Sequence, residues 1–146
     1  MKNKIYIIAV IFLIQISLFG KINAKEIKFN AEDIEILKEE NLTIANNGIA
    51  IIEEDNITLE GKEIKYYKDQ SLLLVNEGRI TDNVENFEIK SKNIEYKIDK
   101  SYLDFKEKVR VTDKKNDLKI DSNEINYDIN NQKIIGTKNS KIIDRF

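Results

Sequence analysis

ITLEGKEIKY, running from Ile57 to Tyr66, is the stretch whose reading decides the fold. Ile57 and Leu59 alternate with polar neighbours, the two-residue period of a half-buried strand. After the small residue Gly61 the apolar positions resume at Ile64 and Tyr66. The step from Gly61 to Ile64 is odd, so plain alternation would put the two apolar sets on opposite faces of a sheet. A β-bulge or a sharp bend at the small residue restores the common face and lets one continuous strand turn a corner.

The same string recurs along the chain. FEIKSKNIEY spans Phe87 to Tyr96, LKIDSNEINY spans Leu118 to Tyr127, and IKFNAEDIEI, from Ile27 to Ile36, is a weaker first copy. The anchors Ile36, Tyr66, Tyr96 and Tyr127 lie 30, 30 and 31 residues apart, and each copy carries one small residue: Ala31, Gly61, Ser91 or Ser122. A fixed period of this size marks one structural unit stacked on its neighbours. A bulge or sharp bend is expected at each of the four small positions.

Each copy then turns back. Lys68-Asp69-Gln70, Asp99-Lys100 and Asn130-Asn131 are polar turn signals, followed by the apolar runs Leu72 to Val75, Tyr102 to Phe105 and Lys133 to Gly136. Gly48, Gly78, Lys108 and Asn139 occupy matching columns after them. Second polar turns at Glu53 to Asn56, Asp82 to Asn86 and Asp113 to Asp117 close the units. The rival element is a short helix over Ala31 to Glu40; no other segment after residue 24 sustains a 3.6-residue apolar period. Bent hairpins in succession predict an all-β chain whose antiparallel sheet is rolled into a half-open sandwich or jelly roll. Such a sheet ends in open edges, which invite pairing with other chains.

The first 24 residues read differently. Lys2 and Lys4 precede an apolar run from Ile5 to Phe19, Gly20 breaks it, and Ala24 offers a small residue for cleavage before Lys25. This is the layout of a secretory signal peptide. Fifteen helical residues reach roughly 22 Å, short of the hydrocarbon core of about 30 Å. An uncleaved inner-membrane anchor is the alternative. The domain organisation expected is therefore a signal peptide at 1–24 and one β-domain at 25–146, placed outside the cytoplasm.

The chain has no Cys, His, Pro or Trp. Disulfides, thiolate metal sites and imidazole acid–base chemistry are thereby excluded. Residues 1–24 hold three of the 24 basic residues and none of the 26 acidic ones, so cleavage leaves a net charge of −5. The acidic balance and interspersed signs argue against a nucleic-acid partner. Glu53-Glu54-Asp55 lacks the spacing of a calcium loop and reads as a solvated turn rather than a divalent-cation site. No pair of carboxylates stands out as a glycosidase dyad. Neither an enzyme, a cofactor nor a metal is expected. Tyr66, Tyr96 and Tyr127 read as core caps with their hydroxyls in water, and contact with a lipid head group is their other reading.

FNAEDIEI (Phe29 to Ile36), ANNGIAII (Ala45 to Ile52), LEGKEIKY (Leu59 to Tyr66) and VNEGRIT (Val75 to Thr81) together resemble the OstA-like family of lipopolysaccharide transport proteins. That family comprises LptA, the periplasmic part of LptC and the N-terminal domain of LptD. The resemblance covers nearly all of residues 27–144. It departs at Lys108 and Asn139, where the glycine column is lost, and with no outer-membrane barrel within residues 1–146 a complete LptD-like protein is not expected. A cleaved signal favours the LptA-like role; LptC-like or truncated LptD-like roles are the alternatives, as is a structural β-repeat protein without ligand.

The resemblance implies a twisted, V-shaped β-jelly roll in the periplasm. It would hold the acyl chains of lipid A in the apolar crease between its halves. It would also join other OstA-like jelly rolls, including itself, edge to edge, linking inner- and outer-membrane transport complexes. Phe29, Leu59, Leu73, Phe87, Ile89, Leu103, Phe105 and Ile120 are the candidates for lining that crease, with an ordinary packed core as the competing role for each.

Overall fold

In the computed structural model of the chain, residues 25–144 are described; the signal read at residues 1–24 lies outside them. Nine strands follow one another: β1 (Lys28–Leu37), β2 (Leu42–Ile52), β3 (Ile57–Tyr67), β4 (Leu72–Asp82), β5 (Phe87–Lys97), β6 (Tyr102–Asp113), β7 (Leu118–Asp128), β8 (Lys133–Lys138) and β9 (Lys141–Asp144). They make a single antiparallel sheet in the order β1 to β8, a plain meander. β8 pairs with Glu124–Asp128 of β7, and β9 pairs with Leu118–Asp121 of the same strand. β8 and β9 are therefore one last strand interrupted at the bend. The helical rival near Ala31 is absent: β1 runs to Leu37, and only a single 3-10 turn, Lys38–Glu40, follows.

Each turn at the β1–β2 end of the sheet extends the ladder to the next. The Lys68 amide donates to the Asn41 carbonyl at 3.0 Å, Ile98 to Ser71 at 2.9 Å, and Ile129 to Ser101 at 3.0 Å. Asn41, Asn56, Ser71 and Ser101 close the 3-10 turns with φ between 48° and 55°. Asn tolerates this left-handed backbone because its side chain bonds locally.

The bend crosses every strand at the small residues, as one of the two expected outcomes, and on most of them it is made without a bulge. Ala31 pairs with Gly48 and Asp33 with Asn46, leaving Glu32 and Asn47 outside the ladder on both strands. The same happens at Gly48–Gly61, Gly61–Gly78 and Gly78–Ser91. Each strand spends one extra residue in step with its neighbour, so the inward face is recovered without a register shift. The register slips only against β6, around Glu107–Lys108, and against β8. The left-handed residues stand on the partner strands: Asn47, Glu77, Glu107, Lys108 and Asn139, with φ of 44° to 65°. The glycines serve close approach instead. A Cβ on Gly48 would collide with the Ala31 Cβ, and one on Gly78 with the Glu60 carbonyl oxygen.

The bend divides the sheet into two halves that face each other: the first holds the stretches before the bend in odd-numbered strands and after it in even-numbered ones, the second the remaining stretches. The inward residues of both merge in one core that includes Ile57, Leu59, Ile80 and Ile89 from the first half and Ile64, Leu73, Ile94 and Phe105 from the second. The Phe87 and Tyr127 rings, from opposite halves, meet edge to face at 5.0 Å. Phe29 and Tyr66 do the same in tilted fashion at 6.2 Å.

Candidate functional site

All eight candidate crease residues point inward. Leu59, Leu73, Ile89, Leu103 and Phe105 are completely buried and Phe87 nearly so. Phe29 and Ile120 are half-buried and pack against the margin of the core. The first group fills the middle of the space between the halves; the last two stand at its ends.

The ends are open for a geometric reason. Each tyrosine of a second half packs on the first half of the preceding hairpin: Tyr66 on Phe29, Tyr96 by the β2–β3 turn, Tyr127 on Phe87. The two halves are thus staggered by one hairpin. Among the described residues, no earlier hairpin packs on the second half of the first hairpin, and no later one packs on the first half of the last. Ile34 and Ile36 are accordingly 48% and 64% exposed, although the counterparts of Ile34 (Ile64, Ile94 and Ile125) are buried, as are Tyr96 and Tyr127 in the column of Ile36. At the far end Ile142, cross-strand partner of the inward-facing Ile120, is 66% exposed. Two apolar ledges of complementary kind result, one on β1 and one on β7–β9.

The rim opposite the bend corrects the reading of the tyrosines. Tyr96 and Tyr127 do not hold their hydroxyls in water; both side chains are buried. The Tyr96 hydroxyl donates to Asp55, and the Tyr127 hydroxyl donates to Asp82 Oδ2 at 2.7 Å. Burial raises both phenol pKa values well above the ordinary tyrosine range, and the adjacent carboxylates, Asp55 and Asp82, raise them further. Tyr66, half-buried, keeps the expected capping position, and its pKa is raised by burial alone.

Asp55 is likewise no solvated turn residue. It is buried and also accepts bonds from Ser101 Oγ at 3.1 Å and from Lys25 Nζ at 2.7 and 2.8 Å. Glu53 and Glu54 beside it are exposed. Asp82 accepts in addition from the Val84 and Glu85 amides, both at 2.9 Å, which folds its own turn. No buried side-chain polar atom among the described residues lacks a partner. No cluster of acidic residues there has the geometry of a metal site.

The outer face is polar. An open groove beside the bend is lined by Glu60, Lys62, Glu77, Arg79 and Lys90, among others. Its charges are mutually satisfied: Arg79 holds Glu60 at 2.6 Å and Lys62 pairs with Glu77. Exposed pairs of this kind contribute little.

Among solved structures the fold is similar to the crystal structure of LptH, the LptA homologous periplasmic component of the conserved lipopolysaccharide transport device from Pseudomonas aeruginosa. The TM-score is 0.73 over 83% of this chain and 96% of that one, at 9% sequence identity. No protein-family model and no curated protein sequence matches the chain. At that identity the likeness is one of fold: an LptA-like, all-β roll of antiparallel strands.

Proposed function

We propose that the protein is a periplasmic, non-enzymatic carrier of lipopolysaccharide, which shields the acyl chains of lipid A between its two sheet halves. The observation that carries the proposal is an apolar interior open at two staggered corners in a fold similar to that of LptH. Each acyl CH₂ kept from water contributes about 0.8 kcal/mol, so exposing a chain of about a dozen carbons costs roughly 10 kcal/mol. A lipid with several such chains needs a continuous apolar path across an aqueous gap. The LptA-like role fits a chain with an export signal; the LptC-like role keeps that segment as an anchor.

The ledges supply the continuity. Odd- and even-numbered strands are antiparallel everywhere in the sheet, so β1 of a second copy would lie antiparallel to the broken β8–β9 strand and extend the meander. Ile34 and Ile36 of one copy would then cover Ile120 and Ile142 of the other. The same edges suit other rolls of this fold in membrane complexes at either end.

A photocrosslinking residue at Phe87 or Phe105 is expected to capture lipopolysaccharide from purified vesicles. Absence of crosslink at all eight crease positions overturns the carrier reading. The sealed middle of the interior, with Leu59, Leu73, Ile89, Leu103 and Phe105 fully buried, favours the second reading, a structural β-repeat module without ligand. That reading expects a dry interior in every state and no capture.

A further inference from the structure

We propose that Tyr96–Asp55 and Tyr127–Asp82 are a two-point clasp that holds the mouth of the interior shut, and that its release gives access to the sealed middle. The inference rests on the carrier reading for its cargo but not for its mechanics.

The mouth is the rim opposite the bend, where the tips of the two halves meet. Both tyrosines sit near the tip of a second half, on β5 and β7. Both acceptors sit at the tip of a first half, Asp55 in the β2–β3 turn and Asp82 at the end of β4. The clasps therefore bridge one half of the sheet to the other across residues 41 and 45 apart in sequence. Leu103 lies on β6 between the two tyrosines, paired with Tyr96 on one side and Tyr127 on the other, and is fully buried.

Asp55 is the stronger point. Lys25, ahead of β1, reaches both its carboxylate oxygens and donates to Ser101 Oγ at 2.5 Å. The lead-in to β1 is thus strapped across the mouth, and Ile27 behind it packs on the core. Gln132 and Glu85 add an exposed tip contact at 3.1 Å.

A seal made this way suits a gate. Each clasp bond joins a phenol to a carboxylate, and both groups find water as an equivalent partner once the mouth opens. The bend and the strand ladders need not change, because no ladder bond crosses the mouth. Among the described residues, the two ends, where Ile34, Ile36 and Ile142 are exposed, carry no clasp of this kind: Ile36 holds the tyrosine position in the first hairpin, and the carboxylate of the β6–β7 turn, Asp113, bonds within its own turn.

The chain has no cysteine, so a single Leu103→Cys reports exposure of the sealed interior through its rate of reaction with a maleimide. In the full chain carrying Leu103→Cys, adding Tyr96→Phe and Tyr127→Phe is expected to raise that rate at least about tenfold, since two buried hydrogen bonds are lost. The increase is expected to depend weakly on urea below the unfolding transition, which separates local opening from global unfolding. An unchanged rate, or a rate that tracks global unfolding, overturns the clasp. Lipopolysaccharide from vesicles is then offered to both chains. Faster capture by the clasp variant supports the gate, and equal capture overturns its role in loading. Accelerated labelling with no capture by either chain leaves the clasp standing and removes the carrier reading.

Discussion

At the scale of single residues, a tyrosine in an inward column does two things at once. Its ring fills the core while its hydroxyl must find a partner or leave a buried donor unsatisfied. Tyr96 and Tyr127 find theirs on the opposite half of the sheet. Their raised pKa values give stability a defined pH dependence. Burial and the neighbouring carboxylates make the folded state hold the phenol protons more tightly than the unfolded chain. The contribution is complete below the ordinary tyrosine value of about 10 and is lost as pH climbs above it. Urea midpoints measured from pH 8 to pH 11 are expected to fall more steeply for the native chain than for Tyr96→Phe/Tyr127→Phe. Equal slopes would show that these hydroxyls are not held as described. The tyrosine columns themselves were legible in the sequence. Their partners were not, because Asp55 and Asp82 differ in turn context and look like any two of the chain's acids. The recurrence of an Asp in the turns at Glu53 to Asn56 and Asp82 to Asn86 was the available signal.

At the scale of the element, the parity break inside each strand was readable from Gly61 to Ile64, and so was the existence of a bend. Which strand carries its strain was not. The extra residues Glu32, Asn47, Lys62, Glu77, Lys92 and Glu107 fall fifteen apart, at half the repeat length. They form a polar ridge at the bend, with Asn47 donating to Glu32 at 2.8 Å and Lys92 pairing with Glu107 at 3.2 Å. In the small-residue column, Ser91 and Ser122 follow Gly61. Their hydroxyls donate to the carbonyls of Lys106 at 2.7 Å and Lys138 at 2.9 Å, beside the two places where the register slips. Substitutions at the two kinds of bend position are expected to act in opposite directions. Gly78→Ala drives a Cβ into the Glu60 carbonyl oxygen and is expected to destabilise by about 1–3 kcal/mol. Lys108→Gly relieves a left-handed backbone and is expected to stabilise by about 0.5–1 kcal/mol, after the entropy cost of glycine. Both are read from urea denaturation midpoints.

At the scale of the whole molecule, the one-hairpin stagger matters most. It closes the middle of the interior and opens its two corners, so Ile34, Ile36 and Ile142 stand exposed where a further copy would continue the stack. Ile36→Asp and Ile142→Asp are each expected to abolish concentration-dependent assembly beyond the dimer in mixtures, because each spoils only one end. A solution of either variant alone should be monomeric by sedimentation. An equal mixture of the two should stop at the heterodimer, in which the intact β1 ledge of one meets the intact β7–β9 ledge of the other. Long assemblies from either single variant would rule out these ledges as the joint.

Period, parity and turn chemistry act between residues close in sequence. They determined, from the chain alone, an all-β roll of four bent hairpins, the inward columns and the places where each strand turns. The succession of hairpins was expected from the short polar turns; the plain meander order is seen in the folded sheet. The tertiary structure alone decided how far the halves are staggered, which inward residues are sealed and which stand on ledges, and that the mouth is tied by Tyr–Asp pairs. Those features depend on packing between residues 41 and 45 positions apart on opposite halves of the sheet. No local pattern encodes that offset; it emerges from the twist and close packing of the folded sheet.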